Sequence, residues 1–467
     1  MFKKILIANR GEIAIRIIRA CKEMGIKTVA VYSKPDELSL HVKFADEAIC
    51  IGEGPPIKSY LNIPRIIAAG EITNADAIHP GYGFLAENGQ FSQICKDNDF
   101  SFIGPDGDII DLMGNKVNAR NVANEAEVPI IPGSKIAVSN IDELTEICNN
   151  IGYPIMLKAS AGGGGKGMRV VDEPSMLEQS FSIVKSEADK AFNNADIYVE
   201  KFVKDARHIE IQIMGDKFGN YIHLGERECS IQRSNQKLIE ESPSSFIDES
   251  LRNTLGQKAI DLAKSVKYVG VGTVEFLVDD DKNYYFIEMN TRIQVEHTVT
   301  EMVTMLDLIK EQIRLHHGEE LLIKQDMISI KGHSIECRIN AEDPFNNFIP
   351  SPGKIESLHF PGGIGIRIDS HVYAGYDIPP FYDSMIGKLI VHASNRKKAI
   401  IRMKRAIDET IIEGPNTTIP LLEKILLNDD FINGNFNINF LDKFLKEEPN
   451  DQDSDLLEND EENGGNN

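Results

Sequence analysis

The first hundred residues alternate between short apolar strands and an amphipathic helix. Residues 4–8 (KILIA) and 27–32 (KTVAVY) have the pattern of buried strands, and the helix between them has an apolar stripe at positions 13, 17, 18 and 21. Strand, helix and strand at this spacing predict a parallel βαβ unit in a Rossmann-like lobe, with further strands at 75–78 and 101–103. The first turn holds one glycine, so the G-x-G-x-x-G dinucleotide fingerprint is absent.

A second unit combines two strands with a run of glycines. Residues 154–159 and 168–171 are predicted strands, residues 161–167 (AGGGGKG) connect them, and a helix follows from Ser175. A helical segment from Ile109 carries Lys116 before this unit. Residues 129–134 (PIIPGS) then indicate a hinge between lobes.

Later segments alternate polar and apolar residues, as strands with one buried face do. Residues 273–277 (TVEFL) and 284–290 (YYFIEMN) predict a hairpin, with three aspartates from Asp279 in the turn. Residues 207–212 (RHIEIQ) place His208, Glu210 and Gln212 on one face. Residues 333–340 (HSIECRIN) do the same for Ser334, Glu336 and Arg338.

Two loops rich in Gly and Pro and two helices complete the pattern. Residues 348–354 form a predicted turn, residues 379–388 (PPFYDSMIGK) a predicted loop, and helices begin at Arg396 and Ile419. The expected class is α/β, with α+β character in the C-terminal part. The expected domains are 1–113, a hinge and lid at 114–203 (lid 131–203), a catalytic lobe at 204–446 and a disordered tail at 447–467.

Composition narrows the classes of partner. The chain has 467 residues and a net charge of −22, to which the tail contributes nine acidic residues and no Lys or Arg. An acidic surface argues against nucleic acid as a partner. Six cysteines without a Cys-x-x-Cys pair, no signal-peptide core and no apolar run long enough for a bilayer predict a cytoplasmic protein that is not held in a membrane.

The hairpin predicts a metal site. Pairing of its strands brings Glu275 beside Glu288, and period two places Asn290 on the same face as Glu288. Two carboxylates and an amide oxygen suit Mg²⁺ bound against phosphates. An anion-binding fork and a candidate base follow in the loop, from the side chains Arg292, Gln294, Glu296 and His297. The alternative is a surface loop of solvated charges.

The glycine run predicts a phosphate-binding flap. The backbone N–H groups of Gly163, Gly164 and Gly165 can fold over phosphates, and Lys158 on the preceding strand would point at phosphate oxygens. The spacing is not that of a Walker A loop. The alternative is a flexible linker.

Three other features leave alternatives open. The polar segment 226–237 (ERECSIQRSNQK) either contributes to a site or is an exposed loop. Within it, Cys229 either lines the site or is a passive buried thiol, which the pattern favours. His79 either contacts substrate or is held by backbone bonds.

Six motifs together resemble the biotin carboxylases of the ATP-grasp superfamily. The resemblance covers residues 1–446, and its motifs in chain order are IANRGEIA at Ile7, HPGYGFL at His79, SAGGGGKGMR at Ser160, EMNTRIQVEH at Glu288, ECRINAED at Glu336 and YDSMIGKL at Tyr382. It implies an ATP-grasp fold and the carboxylation of biotin by ATP and bicarbonate. ATP, Mg²⁺ (or Mn²⁺) and bicarbonate are the implied ligands, with biotin as a carrier-bound substrate.

The resemblance also implies residue roles. Glu275, Glu288 and Asn290 match the metal ligands. The positions that match nucleotide contacts are Lys116, Lys158, Met168, Glu200, Lys201, Val203, His208, Gln232, Asn235 and Leu277. Of these, the two lysines match phosphate contacts, and Glu200, Lys201 and Val203 match the surroundings of adenine. Asn235 stands where many relatives have histidine, and it cannot carry a charge.

The implied chemistry concerns bicarbonate and biotin. Glu296 would deprotonate bicarbonate for attack on the γ-phosphate. The anion would be held in line by Arg292, Gln294, the amide of Val295 and Lys237. Carboxyphosphate then yields CO₂ and phosphate, and Arg338 would stabilise an enolate-like biotin oxygen.

No Ala-Met-Lys-Met biotin-attachment motif occurs in the chain. We therefore expect one component of a larger system, with a separate biotin carboxyl carrier protein and carboxyltransferase subunits. The resemblance implies a homodimer. Acetyl-CoA carboxylase, in fatty acid synthesis, is the expected system, and a propionyl-CoA or other acyl-CoA carboxylase or a pyruvate carboxylase is the alternative. Another ATP-grasp ligase and a non-catalytic nucleotide-binding scaffold are the remaining hypotheses.

Overall fold

The computed structural model describes residues 1–134, 137–138, 140–159, 168–192, 197–233 and 236–447. The predicted flap glycines Gly163, Gly164 and Gly165, together with Asn235 and nearly all of the predicted acidic tail, lie outside these residues. Among the residues described, no helix combines the length and the apolar character needed to cross a bilayer.

A parallel five-stranded sheet forms the first lobe, with strand order β3-β2-β1-β4-β5. Its strands are β1 (Lys4–Ile7), β2 (Lys27–Ser33), β3 (Glu47–Gly52), β4 (Ala77–His79) and β5 (Ser101–Phe102). Its helices are α1 (Gly11–Glu23), α2 (Leu40–Phe44), α3 (Ile63–Thr73), α4 (Gly89–Asp97) and α5 (Gly107–Gly114). Ile5 and Ile7 pack into one hydrophobic cluster, and Leu6 and Ala8 into another. Because strand side chains alternate, both faces of this sheet are buried.

The predicted βαβ unit is confirmed, but two details of the predicted elements are wrong. Strand β3 was not predicted, because its residues are only partly buried and lack a clear period. The helical segment expected from Ile109 is two helices, since Asn115 interrupts it and caps the second, α6 (Lys116–Glu125), by accepting bonds from the N–H groups of Val117 and Asn118.

A small three-stranded antiparallel sheet follows, in the order β7-β6-β8. Its elements are α7 (Ile141–Ile151), β6 (Ile155–Ala159), β7 (Met168–Val171), α8 (Leu177–Phe192) and β8 (Ile197–Lys201). The chain enters this unit through the predicted hinge, which pairs with two strands: Ile130 bridges to Phe286, and Gly133 bridges to Glu200. A Cβ on Gly133 would lie 2.5 Å from the carbonyl oxygen of Val199, so only glycine permits this approach.

An eight-stranded sheet, β13-β12-β9-β10-β11-β14-β21-β19, carries the remaining polar motifs. Its strands are β9 (Arg207–Gly215), β10 (Tyr221–Arg233), β11 (Gln236–Ser242), β12 (Gly270–Val278), β13 (Tyr284–Asn290), β14 (His333–Asn340), β19 (Ile366–Ser370) and β21 (Met385–Ala393). On β9, Ile209, Ile211 and Ile213 pack into the core below. The alternate residues His208, Glu210 and Gln212 therefore share the opposite face, as predicted.

Helices pack on this sheet and on one another, and the C-terminal part of the chain also forms three two-stranded ladders. The helices are α9 (Glu249–Ser265), α10 (His297–Thr304), α11 (Leu308–His317), α12 (Arg396–Asp408), α13 (Ile419–Leu427), α14 (Asp429–Asn433) and α15 (Phe440–Glu447). The ladders pair β15 (Glu342–Asp343) with β16 (Ile349–Pro350), β17 (Gly353–Lys354) with β20 (Asp377–Ile378), and β18 (Ser357–His359) with β22 (Ile411–Glu413). The predicted loop 379–388 ends early, because β21 begins at Met385 and pairs with β14.

Candidate active site

The hairpin of β12 and β13 places two carboxylates side by side. Glu275 lies opposite Glu288 in the strand register. The side chain of Asn290 donates a hydrogen bond from Nδ2 to Glu275 Oε1 over 2.6 Å. Burial and the negative charge of Glu275 raise the pKa of Glu288. The predicted hairpin and the predicted proximity of the two glutamates are therefore confirmed.

The side-chain oxygens of Glu275, Glu288 and Asn290 suit a divalent cation. The raised pKa of Glu288 reflects, after burial, repulsion by Glu275, which a dication between the two carboxylates would relieve. Their oxygens and that of Asn290 are the hard ligands that Mg²⁺ prefers. His208 and Glu210 also place ligand atoms within 4.8 Å of Glu275. Glu210, however, is already paired with two cations.

Lys237 is the centre of a buried ion cluster. Its ammonium lies 2.7 Å from Glu296 Oε1 and 3.3 Å from Glu275 Oε1, and it also contacts Glu210. Burial alone would lower the pKa of Lys237, but the three carboxylates raise it well above its usual value. Burial and the neighbouring carboxylates outweigh Lys237 at Glu210 and raise the pKa of Glu210 to about 7. The cations of the cluster are therefore too few to keep all of its carboxylates fully ionised.

Glu296 is held between two cations. Its side chain is 2% exposed, and its second oxygen, Oε2, accepts a hydrogen bond from Arg338 Nη2 over 2.9 Å. Arg338 also donates from Nε to Glu240 Oε1 over 2.6 Å. Burial would raise the pKa of Glu296, but Lys237 and Arg338 outweigh it and hold that pKa well below its usual value. Glu296 is therefore a carboxylate at neutral pH.

The loop 291–296 carries the rest of the predicted anion site. Arg292 donates from Nε to Glu87 Oε2 over 2.9 Å and from Nη2 to Asn290 Oδ1 over 3.0 Å. Gln294 donates from Nε2 to Glu275 Oε1 over 2.7 Å. The structure thus brings Arg292, Gln294 and Glu296 together with the carboxylate pair of the hairpin.

His297 belongs to the fold rather than to this cluster. It is fully buried at the start of α10, and its Nδ1 lies 2.7 Å from the carbonyl oxygen of Gln294. Burial and the nearby cations, of which Lys388 acts most strongly, hold the pKa of His297 well below its usual value. Glu296, which is ionised, is therefore the better candidate base.

A cavity of about 460 Å³ lies between the hinge, α6 and the three-stranded sheet. Of the predicted nucleotide contacts, it is lined by Lys116, Lys158, Met168 and Glu200. Lys158 contacts Glu200, and so does Arg120 on α6, which was not predicted from the sequence. The three cations line the cavity together with two carboxylates, Glu125 and Glu200, so one net positive charge remains for an anionic ligand.

Other predicted nucleotide contacts do not line this cavity. The side chain of Lys201 donates to the carbonyl oxygens of Gly152 and Tyr153 over 3.0 and 2.9 Å, and its backbone N–H donates to Pro132 over 2.8 Å. Val203 and Leu277 are half-buried and outside the lining.

The remaining two predicted nucleotide residues lie near the ion cluster. His208 Nε2 is 2.7 Å from Glu275 Oε2. Gln232 lies opposite Lys237 in the register of β10 and β11. Of the predicted contacts that the structure describes, four thus line the cavity and two lie near the ion cluster, whereas Lys201, Val203 and Leu277 are in neither place.

The segment 226–237 is part of the site, so the exposed-loop alternative is wrong. Residues 226–233 lie on β10 and residues 236–237 on β11, and Arg227 among them is 0% exposed. Arg227 donates to Glu210 Oε2 over 3.0 Å, to Gln212 Oε1 over 2.6 Å, and also to Gln294. The sequence signal was the concentration of polar residues, which does not by itself distinguish a buried strand from an exposed loop.

Burial decides two open alternatives. Cys229 is fully buried, and burial raises the pKa of its thiol well above the usual value. Its Sγ also lies within 4.8 Å of carboxylate oxygens of Glu210 and Glu296, so Cys229 lines the ion cluster as a protonated thiol. His79 is 0% exposed at the end of β4, and its Nδ1 accepts a hydrogen bond from the N–H of Gly81 over 3.1 Å. Burial lowers the pKa of His79 to about 3, so it is a neutral residue held by the backbone.

Family profiles match three consecutive parts of the chain. The profile described as "Biotin carboxylase, N-terminal domain" matches residues 1–110, "Carbamoyl-phosphate synthase L chain, ATP binding domain" matches residues 115–324, and "Biotin carboxylase C-terminal domain" matches residues 336–443. A fold of this kind with a hairpin of paired carboxylates defines an ATP-grasp enzyme.

Individual proteins agree with these profiles. Biotin carboxylase 1 of Bacillus subtilis is 54% identical over 95% of this chain and 99% of its own length. A pyruvate carboxylase subunit of Methanothermobacter thermautotrophicus is 52% identical over 96% and 91%. A crystal structure of the biotin carboxylase–β-γ-ATP complex from Campylobacter jejuni has a TM-score of 0.90 and 51% identity, covering 95% of this chain and 99% of that one. The chain belongs to the biotin carboxylase family, and the predicted family and fold class are confirmed.

Proposed function

We propose that this chain carboxylates biotin, using ATP and bicarbonate, while the biotin is attached to a separate carrier protein. The observation that carries the proposal is the position of Glu296, a buried carboxylate between Lys237 and Arg338. Arg292 and Gln294 lie in the same loop, and the carboxylate pair of the hairpin is adjacent. A base, anion-binding cations and metal ligands thus occur together, as bicarbonate activation requires.

Separate groups hold the nucleotide and its metal. Glu275, Glu288 and Asn290 would hold Mg²⁺ or Mn²⁺, which neutralises charge on the phosphates when bound. Lys116 and Lys158 at the cavity would bind the phosphates. The remaining assigned contacts are Gly163, Gly164, Gly165, Met168, Glu200, Lys201, Val203, His208, Gln232, Asn235 and Leu277, on the family resemblance.

Glu296 acts as the base towards bicarbonate. Its pKa is held low by Lys237 and Arg338, so it is ionised but weakly basic in the free protein. A bicarbonate anion that shares these cations, together with Arg292, weakens their hold on Glu296. The pKa of Glu296 then rises towards the range that a general base needs.

The activated bicarbonate attacks the γ-phosphate to give carboxyphosphate, which releases CO₂ and phosphate. Gln294 and the Val295 amide orient the anion for this attack. The released phosphate takes the N1 proton of biotin, and Arg338, whose guanidinium Glu240 keeps in place, stabilises the oxygen of the enolate that forms. The enolate then attacks CO₂ through N1 to give carboxybiotin.

The wider assembly is part of the proposal. A biotin carboxyl carrier protein and carboxyltransferase subunits complete the system, and the enzyme is a homodimer in the cytoplasm. All six cysteines are free, which supports a reducing compartment. Acetyl-CoA carboxylase is the proposed system. A pyruvate carboxylase is the second candidate, because the pyruvate carboxylase relative is almost as similar as those named biotin carboxylase.

One assay tests the reaction. The purified protein is incubated with ATP, Mg²⁺ and bicarbonate, with and without free biotin, and ADP release is measured. We expect ADP release that depends on biotin. Equal release in both samples would favour another ATP-grasp ligase, and no release at all would favour a nucleotide-binding scaffold. Capture of biotinylated proteins that co-purify with the chain identifies the carrier and separates the two candidate systems.

A further inference from the structure

Residues from four motifs of the family resemblance meet at one buried ammonium group that the proposed chemistry does not use. Lys388, from the motif YDSMIGKL, lies on β21 and is 0% exposed. Glu12 of IANRGEIA and Glu336 of ECRINAED lie beside it, and Tyr82 of HPGYGFL contacts Glu12. The group therefore joins the first lobe, through Glu12 and Tyr82, to the eight-stranded sheet.

The ammonium makes its shortest contact with the loop 291–296. Lys388 Nζ donates to the carbonyl oxygen of Val295 over 2.7 Å and lies 3.3 Å from Glu12 Oε1. The hydroxyl of Tyr82 donates to the same oxygen of Glu12. Lys388 thus donates to one neutral acceptor, the carbonyl of Val295, which belongs to the candidate site. Glu12 is the anion that balances its charge.

The surroundings keep this lysine charged. Burial would lower the pKa of Lys388, but Glu12, Glu336 and Asp369 outweigh burial and raise it. Conversely, burial raises the pKa of Glu12, and it raises that of Glu336 to about 8. A charged donor to a carbonyl forms a stronger hydrogen bond than a neutral one.

We propose that Lys388 is a positioning residue for bicarbonate activation, acting through the carbonyl of Val295. This carbonyl and the N–H of Glu296 belong to one planar peptide, so fixing the carbonyl fixes the backbone from which the Glu296 side chain departs. The catalytic carboxylate then keeps its place between Lys237 and Arg338. The proposal rests on the proposed function, since it assigns Lys388 a part in that same reaction.

Arg396 provides a control, because it is a half-buried cation of the same lobe that pairs with a buried glutamate and has its contacts outside the loop. Its Nε lies 2.8 Å from Glu241 Oε2, and its Nη1 and Nη2 each donate over 2.8 Å to the carbonyls of Ile432 and Phe431. Arg396→Met therefore removes an ion pair with a buried glutamate without removing support from Val295.

The kinetic test compares Lys388→Met with Arg396→Met. We expect Lys388→Met to lower kcat/KM for bicarbonate by roughly 10²-fold, the cost of a displaced catalytic group, while the KM for ATP is unchanged. Arg396→Met should lower thermal stability and leave the bicarbonate kinetics intact. Equal bicarbonate defects in both variants, or none in Lys388→Met, would overturn the proposal.

A double variant separates positioning from folding. Lys388→Met leaves Glu12 without its cation, and adding Glu12→Gln removes that unpaired charge. We expect the double variant to recover thermal stability but to retain the bicarbonate defect. Recovery of both together would show that the lysine acts only through stability, which refutes positioning.

Hydrogen exchange provides a readout that does not depend on turnover. In the ligand-free protein, amides of residues 292–297 should exchange faster in Lys388→Met than in wild type, and at the wild-type rate in Arg396→Met. Unchanged exchange in Lys388→Met would overturn the proposal. A wild-type protein without biotin-dependent turnover would refute the proposed function, and exchange would still decide whether Lys388 holds the loop.

Discussion

Replacing Glu296 with glutamine tests the assignment of the base. Glutamine has nearly the same shape, and its one amide oxygen can still accept a hydrogen bond from either Lys237 or Arg338, which lie 2.7 and 2.9 Å from different carboxylate oxygens. It cannot accept a proton, and a positioned general base contributes roughly 10²- to 10⁴-fold. We therefore expect kcat to fall by that factor, equivalent to about 3–5 kcal/mol in activation free energy. Nucleotide binding should persist, because Glu296 does not line the cavity.

The assay is biotin-dependent ADP release, with ADP affinity measured separately by calorimetry. Glu241→Gln is the matched control, since Glu241 is also 2% exposed and lies 2.8 Å from Arg396 and 2.9 Å from His333, outside the site. This control should lose stability and keep kcat. If Glu296→Gln retains turnover close to wild type, or loses ADP affinity in parallel with turnover, Glu296 is not the base.

Three further predictions concern charge. Glu288→Gln removes a carboxylate that Glu275 repels, so the melting temperature without metal should rise. The variant should nevertheless need at least about ten-fold more Mg²⁺ to reach the stabilisation that Mg-ADP gives. An unchanged Mg²⁺ requirement in a thermal-shift titration refutes the metal assignment. Arg227→Met leaves buried carboxylate and amide oxygens unpaired and should cost about 3–5 kcal/mol in the free energy of unfolding, measured by urea denaturation; a loss below about 1 kcal/mol contradicts this. Burial raises the pKa of Glu336 from its ordinary 4.5 to about 8, so between these pH values the folded state keeps a proton on Glu336 that the unfolded state loses. The stability that comes from the protonated side chain is therefore complete below about pH 4.5 and is lost as pH rises to about 8. Glu336→Gln should therefore gain melting temperature over wild type as pH rises through this window, and a constant difference contradicts the reasoning.

The hairpin of the site was predictable because its signal is local. The strands 273–277 and 284–290 are separated by one acidic turn, so their pairing follows from the chain order, and period two determines which side chains share a face. The same reasoning gave the polar face of β9 and the strand β14. The family resemblance then added roles that periodicity alone does not supply.

The partners of these side chains were not predictable, because they come from distant parts of the chain. Lys388 reaches Val295 only because β21 pairs with β14. Arg227 lies in a segment whose polarity is equally typical of an exposed loop, and its burial depends on the carboxylates above it. Likewise, the bond from the Lys201 N–H to Pro132 depends on how the hinge lies against β8.

These partners change how substrate binding must be understood. Lys237, Arg338 and Arg292 are each already paired with a carboxylate in the free protein. In the proposed reaction, bicarbonate therefore enters a site whose cations already hold carboxylates, and it shares these cations with them. Lys237 and Arg338 then divide their charge between bicarbonate and Glu296, so binding of the substrate raises the pKa of its base.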